Sequence, residues 1–478
     1  MKNLMKMIAM LLVLTLLPLS GAFAVPGTPE NIPENLAIDW NVRYSFAQLE
    51  DQMKAIVEAT PEIAAMYPIG RTWQERNLWC VELTNPAIPK EEKTGIAVMA
   101  NIHGGERESA SCAMYFLWWA ALNAKDEYVA NLLDKYVLYV VPVINPDGYE
   151  QSFVINTRQN LRPRDLNGDG VPFSDPYTDL DGDGYISYLF AGNAADDASW
   201  LENATSVYSL YRDERFASYI GRESPDWDNN GVLADDPRNS GIDMNRTFDY
   251  QWNRFDIETV GSETGVIGAN AFASAGPSAA SEPEIQAIQN FLINTEIDAL
   301  ATLHTGIQCV LYPWCYKPFD DTDEELVQMK AVAEDMAAAF QTTTGRGFYT
   351  KSSYEDYPTS AELIDYAYGR LNIHAYTIEV YSAGKSGNIE DCLWENELPA
   401  PTVKYYAADE AAVMGLDLAS LGVTTEGVWF YTAPTDQMTD KAPTDQDVMV
   451  EGCRDALLKM IEAEPFGEGW TLPYYLGY

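Results

Sequence analysis

The segment NIHGGERE, residues 101–108, sets His103 and Glu106 three positions apart with two glycines between them, in a chain that has three histidines among 478 residues. An imidazole and a carboxylate on one tight turn can converge on a single cation, because Gly104 and Gly105 let the backbone bend without side-chain clash. Such a pair also arises by chance, as a surface histidine beside a solvated acid. His304 strengthens the case. It ends the run ALATLH, and open α/β sheets place their ligands beyond the carboxyl ends of strands. By itself it would pass for a hydrogen-bonded core histidine. Two histidines and one carboxylate leave a fourth tetrahedral position for water, the arrangement of a catalytic rather than a structural zinc. No HExxH segment occurs.

Glu379 lies inside AYTIEVYS, an otherwise apolar and β-forming run, where burying an unpaired carboxylate costs on the order of several kcal/mol. A chemical task or a fixed partner must offset that cost. His374, five residues upstream on the same strand, falls on the opposite face and is assigned packing or a surface contact. Asn245 and Arg246 stand side by side in GIDMNRTF. An arginine fork can bind both oxygens of a carboxylate and an amide adds a donor, although an adjacent Asn-Arg pair is also an ordinary surface feature.

Regular elements are predicted around these groups. Ser45 and Gln48 form a capping box at the head of the helix SFAQLEDQMKAIVEATPE. RNLWCVELTN, TGIAVMANIH and KYVLYVVPVINPDG read as strands, the last two as nearly continuous apolar runs of the kind buried on both faces. SASCAMYFLWWAALNA is a helix between them. Ser281 and Glu284 predict a second capping box, with Pro283 in the first turn of SEPEIQAIQNFLIN, and the strand EIDALATLHTG follows directly. Helix EELVQMKAVAEDMAAAF, strand NIHAYTIEVY and the closing amphipathic helix TDQDVMVEGCRDALLKMIEAE continue the alternation. The pattern predicts an α/β fold whose sheet is covered on both faces. Residues 165–240 and about 383–441 break the rhythm and read as loop insertions.

Composition narrows the partners. With 72 acidic against 30 basic residues and a net charge of −42, the surface repels nucleic acid and anionic lipid. Residues 1–24 carry Lys2 and Lys6, an apolar stretch and then Ala22-Phe23-Ala24, the pattern of an export leader with a signal-peptidase site, so a secreted chain without membrane attachment after cleavage is expected. The six cysteines include no CxxC pair, and both disulfides and buried thiols are compatible with them.

Taken in order, NIHGGERE, VPVINPDGYE, GIDMNRTFDYQW, SEPEIQAIQNF, LATLHTGIQCVLYPW and AYTIEVY resemble the M14 zinc metallocarboxypeptidases of the carboxypeptidase A type, over about Tyr44 to Glu464 with two interruptions. The resemblance implies a mixed, largely parallel twisted central sheet flanked by helices on both faces, in a domain spanning 38–464 between a short lead (25–37) and a tail (465–478). It implies that His103, Glu106 and His304 bind zinc, that Asn245 and Arg246 hold the substrate's terminal carboxylate, and that Glu379 is the catalytic glutamate. Tyr357 falls on the mobile tyrosine that closes over substrate, with Tyr354 nearby, and Asp365 on a pocket aspartate. Ile364 falls on the position that separates aromatic from basic preference; being apolar, it implies hydrophobic C-terminal residues, while Glu362 could attract basic ones. For the arginine that polarises the scissile carbonyl, NTRQNLRPRDL offers Arg158, Arg162 and Arg164, and Arg162 is taken. The expected partner is a peptide or protein C-terminus, and the expected state a monomer. The short interval between Ala24 and Tyr44 leaves no room for the globular propeptide that many secreted members carry.

The first insertion carries a separate signal. Asp165, Asn167 and Asp169 repeat in form at Asp179, Asp181 and Asp183, each set followed by glycine, and DWDNNG from Asp226 is a looser third copy. Oxygen ligands at alternate positions suit calcium in a structural role, against the alternative of solvated acidic turns. No glutamate stands at a twelfth position, so these are not complete EF-hand loops. Two further readings stay open: an amidase or deacylase of cell-wall peptides on the same scaffold, and a non-catalytic, calcium-dependent surface-binding protein.

Overall fold

The computed structural model describes residues 24–204, 206–238, 241–252, 275–382, 399–438 and 442–463. Nearly all of the export leader, the C-terminal tail and Cys392 lie outside the described residues. In chain order the strands are β1 (Ala64–Arg71), β2 (Asn77–Leu83), β3 (Thr94–Ala100), β4 (Tyr136–Val141), β5 (Tyr188–Gly192), β6 (Tyr219–Arg222), β7 (Ala299–His304), β8 (Cys309–Tyr312), β9 (Tyr349–Ser352), β10 (His374–Glu379), β11 (Thr402–Ala407) and β12 (Gly427–Thr432). Eight of them form one sheet in the order β1-β2-β4-β3-β7-β10-β8-β9. Its centre is parallel, with β4, β3, β7 and β10 aligned side by side. β8 joins β10 antiparallel, and β1 and β2 extend the other edge antiparallel.

The helices that cover this sheet are α1 (Phe46–Ala59), α2 (Arg107–Leu122), α3 (Glu127–Lys135), α4 (Pro146–Gln151), α5 (Pro283–Asn294), α6 (Glu324–Thr344), α7 (Leu363–Leu371) and α8 (Gln446–Glu462). Strand faces sort by alternation. Ile96, Val98 and Ala100 of β3 pack with α1, α2, α6 and α8, while Ala97 and Met99 pack with α5 and α7. All residues of β4 and β7 are buried, as continuous apolar runs between two helical layers must be. α2 is buried almost throughout because it lies under α8 as well as on the sheet. Ser45 caps α1 with the expected reciprocal Gln48 contact.

The head of α5 differs from expectation. Its N-cap is Glu282, not Ser281, and no side chain caps the helix. The Ser281 hydroxyl instead donates to the Glu282 carboxylate, which is engaged by Trp73, Asn160 and Arg162.

The two insertions are not independent loops. β5 and β6 come from the first and β11 and β12 from the second, and they join in an antiparallel sheet ordered β11-β12-β5-β6. Alternation again makes two faces: Leu189, Val428 and Phe430 pack with Leu416 and Leu418, whereas Phe190 and Tyr431 pack with Leu201 and Leu210. The described cysteines, Cys80, Cys112, Cys309, Cys315 and Cys453, are free and buried. Among the described residues no helix is long and apolar enough to cross a membrane.

Buried acids give the fold a definite pH dependence. Burial, reinforced by the Glu282 and Asp147 carboxylates, pushes Glu284 up to about 8. Burial, reinforced by Glu362, pushes Asp365 up to about 7. Both hold a proton in the folded chain at pH values where the unfolded chain has released it, so stability declines as pH rises from about 4.5 towards 8. Carboxylates held low, such as Asp243, lose their contribution only at more acid pH and do not oppose this trend. Calorimetry should therefore give a Tm several degrees higher near about pH 5.5 than near about pH 8.5, and Glu284→Gln should flatten the slope. A Tm that rises across that interval would contradict the assignment.

Candidate active site

The carboxyl ends of β3, β7 and β10 meet at one edge of the central sheet. Parallel register sets Glu379 beside His304, and Leu303 beside Ala100, so the turn that follows β3 arrives next to both. That turn is built by Asn101, whose positive φ of 56° reverses the chain and whose amide nitrogen donates to the carbonyls of His103 (3.1 Å), Gly104 (3.2 Å) and Glu106 (3.1 Å). Gly104 is required by close approach: a Cβ there would lie 2.3 Å from the carbonyl carbon of Gly148 in α4. Glu106 is the N-cap residue of α2, leaving its carboxylate outside the helix.

His103, Glu106 and His304 bring their donor atoms within 4.8 Å of one another. His103 Nδ1 lies 2.7 Å from Glu106 Oε1, and His304 Nδ1 lies 3.1 Å from Glu106 Oε2. Both rings thus turn the same nitrogen towards one carboxylate. Their other nitrogens face oxygen: His103 Nε2 is 3.3 Å from Asp243 Oδ1, and His304 Nε2 is 3.2 Å from the Thr302 hydroxyl. A hydrogen-bonded outer partner of the Thr302 kind fixes the tautomer of a metal-ligating histidine, whereas Asp243 approaches His103 Nε2 as a neighbouring charge. The donor set, its burial and its outer partners fit zinc.

These three line a cavity of about 220 Å³ together with Arg158, Asn245, Arg246, Tyr357, Glu362 and Glu379. Glu379 Oε2 is shielded from solvent and meets no hydrogen-bond donor. Burial, to which Glu106 and Asp356 add, pushes the Glu379 carboxyl up to about 8 despite the nearby His304 and Arg158. Across the cavity Arg246 is almost wholly buried; its Nη2 donates to the Tyr357 hydroxyl at 3.1 Å and its Nη1 lies 2.9 Å from Glu362 Oε1. Asn245 accepts from Leu363 N at 2.9 Å and approaches Glu362 Oε2 at 3.4 Å, which anchors it to the start of α7.

Three residues expected at the site lie apart from this cavity. Arg162 does not reach the cavity: its guanidinium pairs with buried Glu282 at 2.7 Å and lies over the Trp73 ring. Arg158 stands in the cavity instead, with Nε 2.6 Å from Asp243 Oδ2 and Nη1 3.8 Å from Glu106 Oε1. Ile364 is fully buried among the residues packed between sheet and α5 and does not line the cavity, because the first turn of α7 rotates it inward. Glu362, the N-cap of α7, takes the side of that turn that faces the cavity. Asp365 accepts from Cys315 N at 2.9 Å within the core and also lies away from the cavity.

Asp243 is a group beside the site that sequence reasoning did not single out. It joins His103 to Arg158 and caps the turn that presents Asn245 and Arg246. Burial works against its charge, but Arg158, Arg246 and His103 hold its carboxyl well below the ordinary range. The available signal was its position two residues ahead of Asn245, where an aspartate caps a turn. His374 behaves as expected, 2.8 Å from Glu325 on the far side of the sheet.

The acidic turns lie in the first insertion. Asp165 accepts from Gly168 N (2.7 Å) and Gly170 N (2.9 Å), Asn167 Oδ1 from Asp169 N (3.1 Å) and Asp169 from Val171 N. Asp179, Asp181 and Asp183 group their oxygens within 4.8 Å, whereas Asp165 and Asp169 are not part of such a group among the described residues. The Lys404 ammonium from β11 lies 2.8 Å from both Asp181 and Asp183, and the Tyr406 hydroxyl donates to Asp181. Part of the charge of this second turn is therefore matched from the other insertion.

The M14 family model described as zinc carboxypeptidase matches residues 49–396. Mast cell carboxypeptidase A of Rattus norvegicus is 23% identical over 355 residues, covering 72% of this chain and 66% of that protein, just under two thirds of its length. Zinc carboxypeptidase A 1 of Drosophila melanogaster is 22% identical over 399 residues, covering 81% of this chain and 72% of that protein. Among solved structures, carboxypeptidase A from Helicoverpa armigera aligns with 76% of this chain and 70% of its own at 14% identity and a TM-score of 0.49.

Proposed function

Because the chain belongs to the M14 zinc carboxypeptidase family, we propose that it is an exported zinc-dependent exopeptidase that hydrolyses the C-terminal peptide bond of peptides and proteins. One observation carries the reading. A single cavity presents His103, Glu106 and His304, an unpartnered glutamate at their side and a buried Asn-Arg pair across from them.

His103, Glu106 and His304 would hold the metal, and zinc there supplies Lewis acidity and a water of lowered pKa, near roughly 7. Glu379 accepts the proton of the attacking water at its free carboxylate oxygen and returns one to the leaving amine nitrogen. Arg158 donates to the scissile carbonyl oxygen as negative charge grows on it; Asp243 holds the guanidinium in place. Arg246 and Asn245 receive the terminal carboxylate, with the Tyr357 hydroxyl beside them. A guanidinium that needs a free carboxylate at a set distance from the metal ligands confines cleavage to the last bond.

Glu362 refines the substrate class. It lines the same cavity and shares its carboxylate with Arg246, so once Arg246 turns to the substrate's terminal carboxylate a cationic C-terminal side chain would find an acidic partner there, beside the hydrophobic preference that Ile364 implies. Export is supported by residues 1–24.

The deciding experiment uses blocked dipeptides with a free or an amidated C-terminus. Full turnover of the free acid, loss of it on chelation and recovery with one equivalent of zinc are expected. Equal cleavage of the amide, or activity that survives complete metal removal, would overturn the reading.

A further inference from the structure

We propose that Asp175, Asp228 and Asp235 form a calcium site that ties the first and third acidic turns of the insertion together. Their carboxylates bring oxygens within 4.8 Å of one another. Asp175 is fully buried. Its Oδ2 accepts from Asn167 Nδ2 at 2.8 Å, but its Oδ1 is sealed from solvent and meets no donor. Asp235 is in the same condition: Oδ2 accepts from Asn230 Nδ2 at 2.8 Å and Oδ1 is shielded and unpartnered. Asp228 accepts from Asn230 N at 3.0 Å and, at Oδ2, from the Asn230 amide at 2.8 Å and the Asn167 amide at 3.4 Å.

Two asparagines thus brace the three carboxylates from outside and leave orphaned oxygens facing inward. Asp181 and Asp183 have Lys404 as counter-charge, whereas none of these three has an ion-pair partner among the described residues. Buried, unpaired anionic oxygens are costly, and native structures satisfy them with a donor or an ion. The donor set is all oxygen, without imidazole or thiolate, and it comes from separated stretches of chain. Calcium accepts six to eight oxygens in irregular geometry, while magnesium demands a near-ideal octahedron and zinc prefers nitrogen and sulfur.

The placement has a use. The chain leaving Asp235 leads to Asp243, Asn245 and Arg246, so an ion here would clamp the segment that enters the cavity. Its test is independent of peptidase activity.

The full chain is stripped of metals, reloaded with zinc and titrated with calcium by calorimetry, and separately with terbium, exciting Trp227, which adjoins Asp228 and donates to Pro176 O at 3.2 Å. One calcium should bind and raise Tm, and terbium emission should be quenched by calcium but not by equal magnesium. Asp175→Asn and Asp235→Asn should each weaken binding by at least about tenfold and abolish the Tm shift. Asp213→Asn, an acid elsewhere in the insertion, should not. Trp227→Phe should lose the emission and keep the calcium heat. Asp228 is exposed, so Asp228→Asn serves if a buried variant fails to fold. Absence of calcium binding in the wild type, or unchanged affinity in Asp235→Asn and Asp228→Asn, would overturn the proposal.

Discussion

Glu379→Gln is expected to lower kcat by about 10³- to 10⁴-fold, at the upper end of what a positioned acid-base group contributes. The amide keeps the shape of the side chain but can neither take the proton of the attacking water nor return it to the leaving amine. KM and zinc content should stay near wild type, since Glu379 is not one of the three residues whose donor atoms converge. Stability should move the other way. The wild-type carboxylate is buried with one oxygen unpartnered, and burial raises its pKa, so ionising it burdens the metal-free fold. The metal-free variant should melt no lower than the metal-free wild type, as expected where function is bought with strain. Steady-state kinetics, elemental analysis and calorimetry check the three parts together. Retention of activity within about tenfold would remove Glu379 from the reaction.

Arg158→Gln should reduce kcat/KM by about 10²- to 10³-fold, the usual cost of deleting one donor to a developing oxyanion. Arg162→Gln should leave kinetics within a few-fold and act on stability, because it strands the buried Glu282 carboxylate without its guanidinium. Removing Arg158 also leaves Asp243 less compensated beside His103, so zinc content must be measured alongside. Lysine at 158 should restore part of the rate, since it returns the charge without the planar fork. If Arg162→Gln proved the damaging change and Arg158→Gln harmless, the corrected placement would be wrong.

The contrast between those two arginines shows where sequence reading stops. Both lie in NTRQNLRPRDL, four residues apart and alike in chemistry. What separates them is three-dimensional: Arg158 reaches Asp243, 85 positions along the chain, and Arg162 reaches Glu282, 120 positions along. Ile364 and Glu362 differ in the same way, since the rotation of the first turn of α7 decides which of them meets the cavity. Lys404 and Asp181 are 223 residues apart, and the pairing of the two insertions in one sheet is equally non-local. Partnerships at such distances leave no periodic trace in the chain.

Local chemistry, by contrast, was decided residue by residue. Continuous apolar runs marked β3 and β4 as buried on both faces, Ser45 and Gln48 marked the start of α1, and an acid inside AYTIEVYS marked a group that needs a task or a fixed partner. These follow from short-range periodicity, hydrogen-bond satisfaction and the cost of burying charge, all of which act within a few residues. The tertiary structure alone decided that His103, Glu106 and His304 share one point, that Asp243 stands between His103 and Arg158, and that Asp175 meets Asp228 and Asp235. Those meetings depend on strand register and on how loops close over it, and electrostatics between side chains exists only once both ends have been brought within a few ångströms.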